Sequence, residues 1–354
     1  MKIFEYNPIL GTFSMGLEFF SQNEVVEVLN LRKNSEFSYN KTHKQWFLPN
    51  FSDISSYITE NSYDLAILNP QIGEKIGKRG KINFKIDDIQ ACLQFLEREL
   101  PKFAIFTFNL DVISLLNIGE EYVRDGFGQL SKDFLISSLQ NLGYDAYLVA
   151  IDEANYGISM HRGVALYIAT PKDFKMTFPA GLFRRIATQK YSKFRTIADA
   201  IGDLQKLGEW VPYRSQPQNV YQRHLRRGLD RVTWNFLYRP PNIDQFETIS
   251  KIRQGSKAAD TKEVRQKAGY VRPKWNRICP TLDDRFYMIS SKAPCLHPLE
   301  NRPFTIREGM RIMGLPDNVS FDLKTPRREI ATMLMQSISP VIGEATAIAL
   351  RSIQ

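Results

Sequence analysis

Apolar residues in the first half of the chain fall into short unbroken runs: VVEVLN (25–30), YDLAILN (63–69), FAIFTFNL (103–110) and GVALYIA (163–169). Runs of that length without polar alternation suit strands buried on both faces. Between them the spacing becomes helical. In IDDIQACLQFLEREL, Ile86, Ile89, Leu93, Leu96 and Leu100 recur at three- and four-residue intervals, and Asp87 and Asp88 occupy the first turn, where the helix dipole favours acids. A second helix is expected over roughly 131–142, with Gly143 as its stop. The N-terminal MKIFEYNPIL reads as a first strand, because it has no small-residue cleavage site of a secretory leader. Strands alternating with helices predict an α/β domain with a mainly parallel sheet over residues 1–180.

The pattern then breaks. PKDF, YRSQPQ and YRPPN bring prolines and turn formers, and a second, irregular unit is expected over residues 181–282. Helical spacing returns near 303, with one helix beginning at Thr305–Glu308 and a last one over roughly 340–352. Residues 283–354 form a C-terminal segment whose last helix is expected to pack back on the first domain. No repeat or low-complexity stretch is present.

Charge sharpens the division. The chain of 354 residues has a net charge of +9, yet residues 181–277 alone hold 21 Lys and Arg against 8 Asp and Glu. That window nets +13 and the remainder −4, an asymmetry that points to a polyanionic partner. Arg214, Arg223, Arg226, Arg227, Arg231 and Arg239 crowd around the single acid Asp230, interleaved with Tyr213, Tyr221, Trp234, Phe236 and Tyr238. Arginine suits phosphate forks and guanine edges, whereas Trp234 and Phe236 are read first as core. No apolar run is long enough to span a membrane. Cys92, Cys279 and Cys295 show no metal-ligand spacing, so a reducing, cytoplasmic setting without structural metal is expected.

Several local motifs then occur in a telling order. GTFSMGLE (11–18), FSDIS (51–55), YDLAILNPQIG (63–73) with GKRG (77–80), PKFAIF (101–106), LGYDAY…NYGISMHRGVALYIA (142–169), TIADAIGDL (196–204), GYVRPKWNRICPTL (269–282) and LHPLENRPFTIREGMRIMGLPDNVSF (296–321) succeed one another. Together they resemble the DNA cytosine-5-methyltransferase family, whose last block reads much like HPxxxRPLTIREAARLQGFPDxFxF. The resemblance implies a Rossmann-type, mainly parallel sheet with helices on both faces, plus a smaller basic target-recognition domain. It also implies double-stranded DNA as partner, S-adenosylmethionine as methyl donor and a flipped cytosine. In that chemistry a cysteine thiolate adds to carbon-6 of cytosine, and a glutamate stabilises the developing charge.

This sequence departs from the pattern where the chemistry sits. The family cysteine falls at Pro70 or Gln71, and the family glutamate near Thr107, with Asp111 too late to replace it. Arg162 matches the first arginine of a family pair; Val164 replaces the second. Pro8 and Ile9 stand in the glycine turn that approaches the cofactor, and Leu29-Asn30 stands where the ribose-binding acid belongs. Asp53 remains as an adenine contact. GNSVPP becomes Met335-Gln336-Ser337-Ile338-Ser339-Pro340 without its Gly-Asn. The segments framing the basic region match better, so DNA contacts are expected at Arg162, Arg223, Arg226, Arg227, Arg231, Tyr270, Arg272, Arg302 and Arg307. Three readings stay open: a homologue inactive alone that supports an active cytosine-5-methyltransferase in a restriction-modification system, an active enzyme with displaced groups, and a reader of sequence or methylation state. For the second, Cys295 is the candidate thiol, as the one Pro-Cys pair; His161 and His224 have no orienting acid in view.

Overall fold

The structure is a computed structural model that describes residues 2–6, 27–29, 39–40, 45–46, 63–70, 73–76, 81–84, 86–109, 132–172, 174, 194–204, 210–233, 238–262, 264, 269–289, 295–319, 321 and 325–351. The chain divides into two compact units. One comprises Met1–Asp152, Gly163–Pro179 and Gln336–Gln354, and the other Glu153–Arg162 and Ala180–Met335.

The first unit is built on a six-stranded sheet. Its strands are β1 (Lys2–Tyr6), β2 (Glu27–Leu29), β3 (Leu65–Leu68), β4 (Phe103–Asn109), β5 (Tyr144–Asp152) and β6 (Gly163–Pro171), in spatial order β2-β1-β3-β4-β6-β5. The first four run parallel, and β6 enters antiparallel between β4 and β5. β3 is buried along its whole length, as its unbroken apolar run requires. Helices α1 (Ile86–Glu99) and α2 (Lys132–Asn141) belong to this unit. One core holds Phe4 and Tyr6 of β1, Ile89, Cys92, Phe95 and Leu96 of α1, and Leu135 and Leu139 of α2. Phe95 stacks on Phe4 with ring centroids 4.3 Å apart. Leu100 leaves the apolar stripe expected for it. It takes left-handed backbone (φ 41°) and is 60% exposed, because Pro101 cannot continue the helix. Gly143 stops α2 with φ +93°, as its position suggests.

The described residues of the second unit hold short helices and strand pairs. Helices α3 (Ile197–Ile201), α4 (Val220–Arg226), α5 (Ile243–Ser250) and α6 (Ile306–Ile312) alternate with two-stranded pairs, β7 (Trp210–Pro212) with β8 (Arg231–Thr233) and β9 (Ser256–Lys257) with β10 (Val271–Arg272). Thr196, Asn219, Asn242 and Thr305 cap those four helices with their side chains, three of them in reciprocal capping boxes. Ile249, Ile252, Ala258, Val264, Tyr270, Ile289 and Leu296 form one core of this unit. Helices α7 (Arg327–Gln336) and α8 (Pro340–Arg351) close the chain. Among the described residues no helix is long and apolar enough to cross a membrane.

Candidate catalytic edge and nucleic-acid interface

In an open parallel sheet, ligands bind beyond the carboxyl ends of the strands where the strand order reverses. Here the reversal lies between β1 and β3, since β2 flanks β1 on its other side. That edge carries Tyr6, Asn69 and Pro70, all buried. The Asn69 backbone N–H donates to Tyr6 O at 2.8 Å, and its side-chain amide donates to Gln336 O at 2.8 Å. On β4, Thr107 follows Phe106, the partner of Leu68, and lies opposite Leu166 of β6. Thr107 is 1% exposed and its hydroxyl has no hydrogen-bond partner among the described residues. It cannot serve as a carboxylate. No cysteine stands at this edge among the described residues: Cys92 sits in the α1 core, and Cys279 and Cys295 are buried in the second unit. Just past Pro70 the chain forms an antiparallel ribbon, Gly73–Ile76 with Lys81–Phe84. Gln71, Asp53, the 7–11 turn, Asn30 and 77–80 lie outside the described residues.

The arginines expected at DNA divide sharply by burial. Arg162 is 7% exposed; its guanidinium donates to Met335 O at 2.9 Å and lies 3.4 Å from the buried Glu153 carboxylate. Arg226 bonds Asp203 at 2.7 Å and Ser215 O, and stacks 3.7 Å above the Tyr213 ring. Arg272 places three bonds of 2.7–2.8 Å on Ile252 O, Ile249 O and Asn301 Oδ1, and two more on His297 O and Glu300 O. Arg302 grips the Glu308 carboxylate with two 2.8 Å bonds, and Arg307, fully buried, donates to Val319 O at 2.9 Å. Tyr270 belongs to the core. These six side chains are thus buried and engaged inside the fold. Their guanidiniums, or in Tyr270 the ring, pack inside the fold, and freeing a guanidinium would strand a buried charge.

The stretch 302–319 is an internal lock. Thr305 and Glu308 form the capping box of α6, so the same carboxylate caps the helix and pairs with Arg302. Burial alone would raise the Glu308 pKa, but the charges of Arg302 and His297 overcome this and hold it at about 2. Arg311 reaches Asp317 at 2.9 Å and Asp203 at 2.6 Å; burial disfavours its charge, yet the two carboxylates raise its pKa overall. Tyr213 donates its hydroxyl to Asp317 at 2.6 Å. Asp203 thus ties α4, through Arg226, to α6, through Arg311. Gly309 meets Phe286, whose Cε2 would lie 2.3 Å from an added Cβ. A small residue is required there because α6 and that ring pack so closely.

Arg223 and Arg231 remain exposed, and among the described residues Arg231 pairs with the exposed Asp230 at 4.0 Å. Arg227 is half-buried at the left-handed C-cap of α4. Beside it, burial and then the charges of Arg227 and Arg195 push the His224 pKa down to about 4. Sequence reasoning passed over Asp203 and Asp317, which organise the lock, and the exposed Arg253, Lys257, Lys274 and Arg277. The available signal was acid-free loops around a glycine.

A family model, C-5 cytosine-specific DNA methylase, matches residues 129–352. The chain belongs to this family. It is 24% identical over 391 aligned positions to the type II methyltransferase M.DdeI of Desulfomicrobium norvegicum, which covers 98% of this chain and 88% of that protein. Among solved structures it is similar to an E. coli prophage-encoded protein described as a DNA modification methyltransferase, with TM-score 0.67 and 15% identity over 100% of this chain and 99% of that one. It is also similar to the S. pombe Dnmt2 methyltransferase, with TM-score 0.53 and 12% identity over 100% and 99%. These structural likenesses show the fold, an α/β methyltransferase fold.

For a cytosine-5 methylase, S-adenosylmethionine belongs beyond β1. The sequence there departs from the family's glycine turn at Pro8 and Ile9. The described edge presents Tyr6, Asn69 and Pro70, with the buried Glu5 one position before Tyr6, and the Asn69 amide already donates to Gln336 O. No group of three or more His, Cys, Asp or Glu placed to hold a metal occurs among the described residues.

Proposed function

We propose that this member of the cytosine-5 methylase family transfers no methyl group alone, and serves a restriction-modification system as a DNA-binding recognition or supporting subunit. Its partner on this reading is an active cytosine-5-methyltransferase, and the basic stretch 181–282 is its recognition region. The observation that carries the reading is joint loss at the reactive edge: Pro70 or Gln71 for the thiol, Thr107 for the carboxylate, and Pro8-Ile9 for the glycine turn. One substitution would be a lesion; three at sites that must act together remove every step from methyl-donor binding to nucleophilic attack. Recruitment of Cys295 is disfavoured, because its side chain is 5% exposed and its backbone bridges Val271. Asp53 is retained for a residual adenine contact, and Arg223, Arg227 and Arg231 for DNA.

Calorimetry tests the first half of the reading. Titrating S-adenosylmethionine into the purified chain should give no saturable heat at millimolar ligand, whereas a micromolar site would show an intact cofactor pocket. Co-expression with a cytosine methyltransferase tests the second half. A stable complex in which this chain raises activity supports it, and an enzyme indifferent to this chain counts against it.

A further inference from the structure

We propose that the loops 251–257 and 273–277 form one rigid platform that grips the phosphate backbone of duplex DNA; this rests on the DNA-binding reading above and names where contact is made. Lys251, Arg253, Lys257, Lys274 and Arg277 lie on these two segments, all exposed, and neither segment contains an acid. None of the five has an acidic partner within 4 Å among the described residues, unlike the arginines of the lock. Unpartnered like charges on one platform repel, and a polyanion relieves that repulsion.

The platform is fixed from beneath. β9 and β10 pair Ser256 with Arg272 and Lys257 with Val271, so the two loops emerge from adjacent strands. Gly255 N–H donates to Arg272 O at 2.7 Å. The Lys274 stem crosses Gly255, whose φ is +79°; an added Cβ would lie 2.5 Å from Lys274 Cε. Glycine is needed there for its left-handed backbone. The buried Arg272 guanidinium bonds Ile252 O beneath one loop and His297 O and Glu300 O on the neighbouring segment. The cations thus stand on hydrogen-bonded backbone, and an ordered scaffold lowers the cost of association. Exposed Gln254 and Asn276 lie among them, with amides suited to adenine edges.

The test measures duplex affinity against salt for the full chain, for the variant K251Q/R253Q/K257Q/K274Q/R277Q and for R223Q/R231Q, with thermal melts as fold controls. Each lost phosphate contact should flatten the slope of log affinity on log salt by about 0.9. The five-fold variant should therefore lose about 4.5 in slope and bind more weakly at 0.1 M salt. Should it melt early, K251Q/R253Q and K274Q/R277Q replace it, each expected to lose about 2 in slope. A platform variant with wild-type slope, while R223Q/R231Q binds weakly, overturns the platform and leaves the DNA reading standing. A wild-type chain that binds no duplex overturns both.

Discussion

Arg302 and Arg223 differ by little in sequence terms and by everything in the fold. Arg302 is 5% exposed against Glu308, whereas Arg223 faces water. Replacing Arg302 by Ala leaves a buried carboxylate unpaired and should cost about 3–5 kcal/mol in urea unfolding. Arg223→Ala should change stability by less than about 0.5 kcal/mol, and its effect should appear in DNA affinity. His224 sets a pH signature at the same scale. Its folded pKa of about 4 lies below the ordinary value of 6.5, so the unfolded chain binds the proton more readily. Its contribution is fully present above pH 6.5 and is lost as pH falls from there towards 4. His224→Gln should flatten the melting temperature across that window. Glu308, depressed from 4.5 to about 2, loses its contribution lower, between those values, so the two decays separate in an acid titration.

Elements show what the residue pattern could and could not reveal. Strands β3, β4 and β6 stand where their apolar runs lie, and α1 and α2 fall within a residue or two of the spacing-based expectation. Unbroken burial on both faces leaves few alternatives for such runs. The destination of the arginines was not legible. RPFTIREGMR reads equally as a DNA face or an ion-pair lock, and the answer depends on Asp203, some hundred positions earlier in the chain. Gly309 gives an element-scale prediction. The family pattern has alanine there, but Phe286 fills that space. Gly309→Ala should destabilise by about 1–3 kcal/mol through overpacking of α6, read by thermal or urea unfolding. At the sheet edge, the buried Thr107 hydroxyl has no partner among the described residues, so Thr107→Val should be neutral or stabilising by about 1 kcal/mol.

At the scale of the whole molecule, the order of motifs located the family, because it is a property of many residues at once. The candidate site is proposed from a set of losses in the sequence. A missing thiol or carboxylate is visible wherever neighbouring positions align, and Asn69, Pro70 and Thr107 do lie at the carboxyl ends of adjacent parallel strands. The platform at 251–257 and 273–277 needed the fold, since the pairing of β9 with β10 brings the two segments together. The central claim, a cytosine-5 methylase fold without methyl transfer of its own, is tested most directly by incubating the purified chain with mixed-sequence duplex DNA and methyl-labelled S-adenosylmethionine, then digesting to nucleosides. The account predicts no 5-methylcytosine above a protein-free control; labelled 5-methylcytosine formed in proportion to the chain added would contradict it.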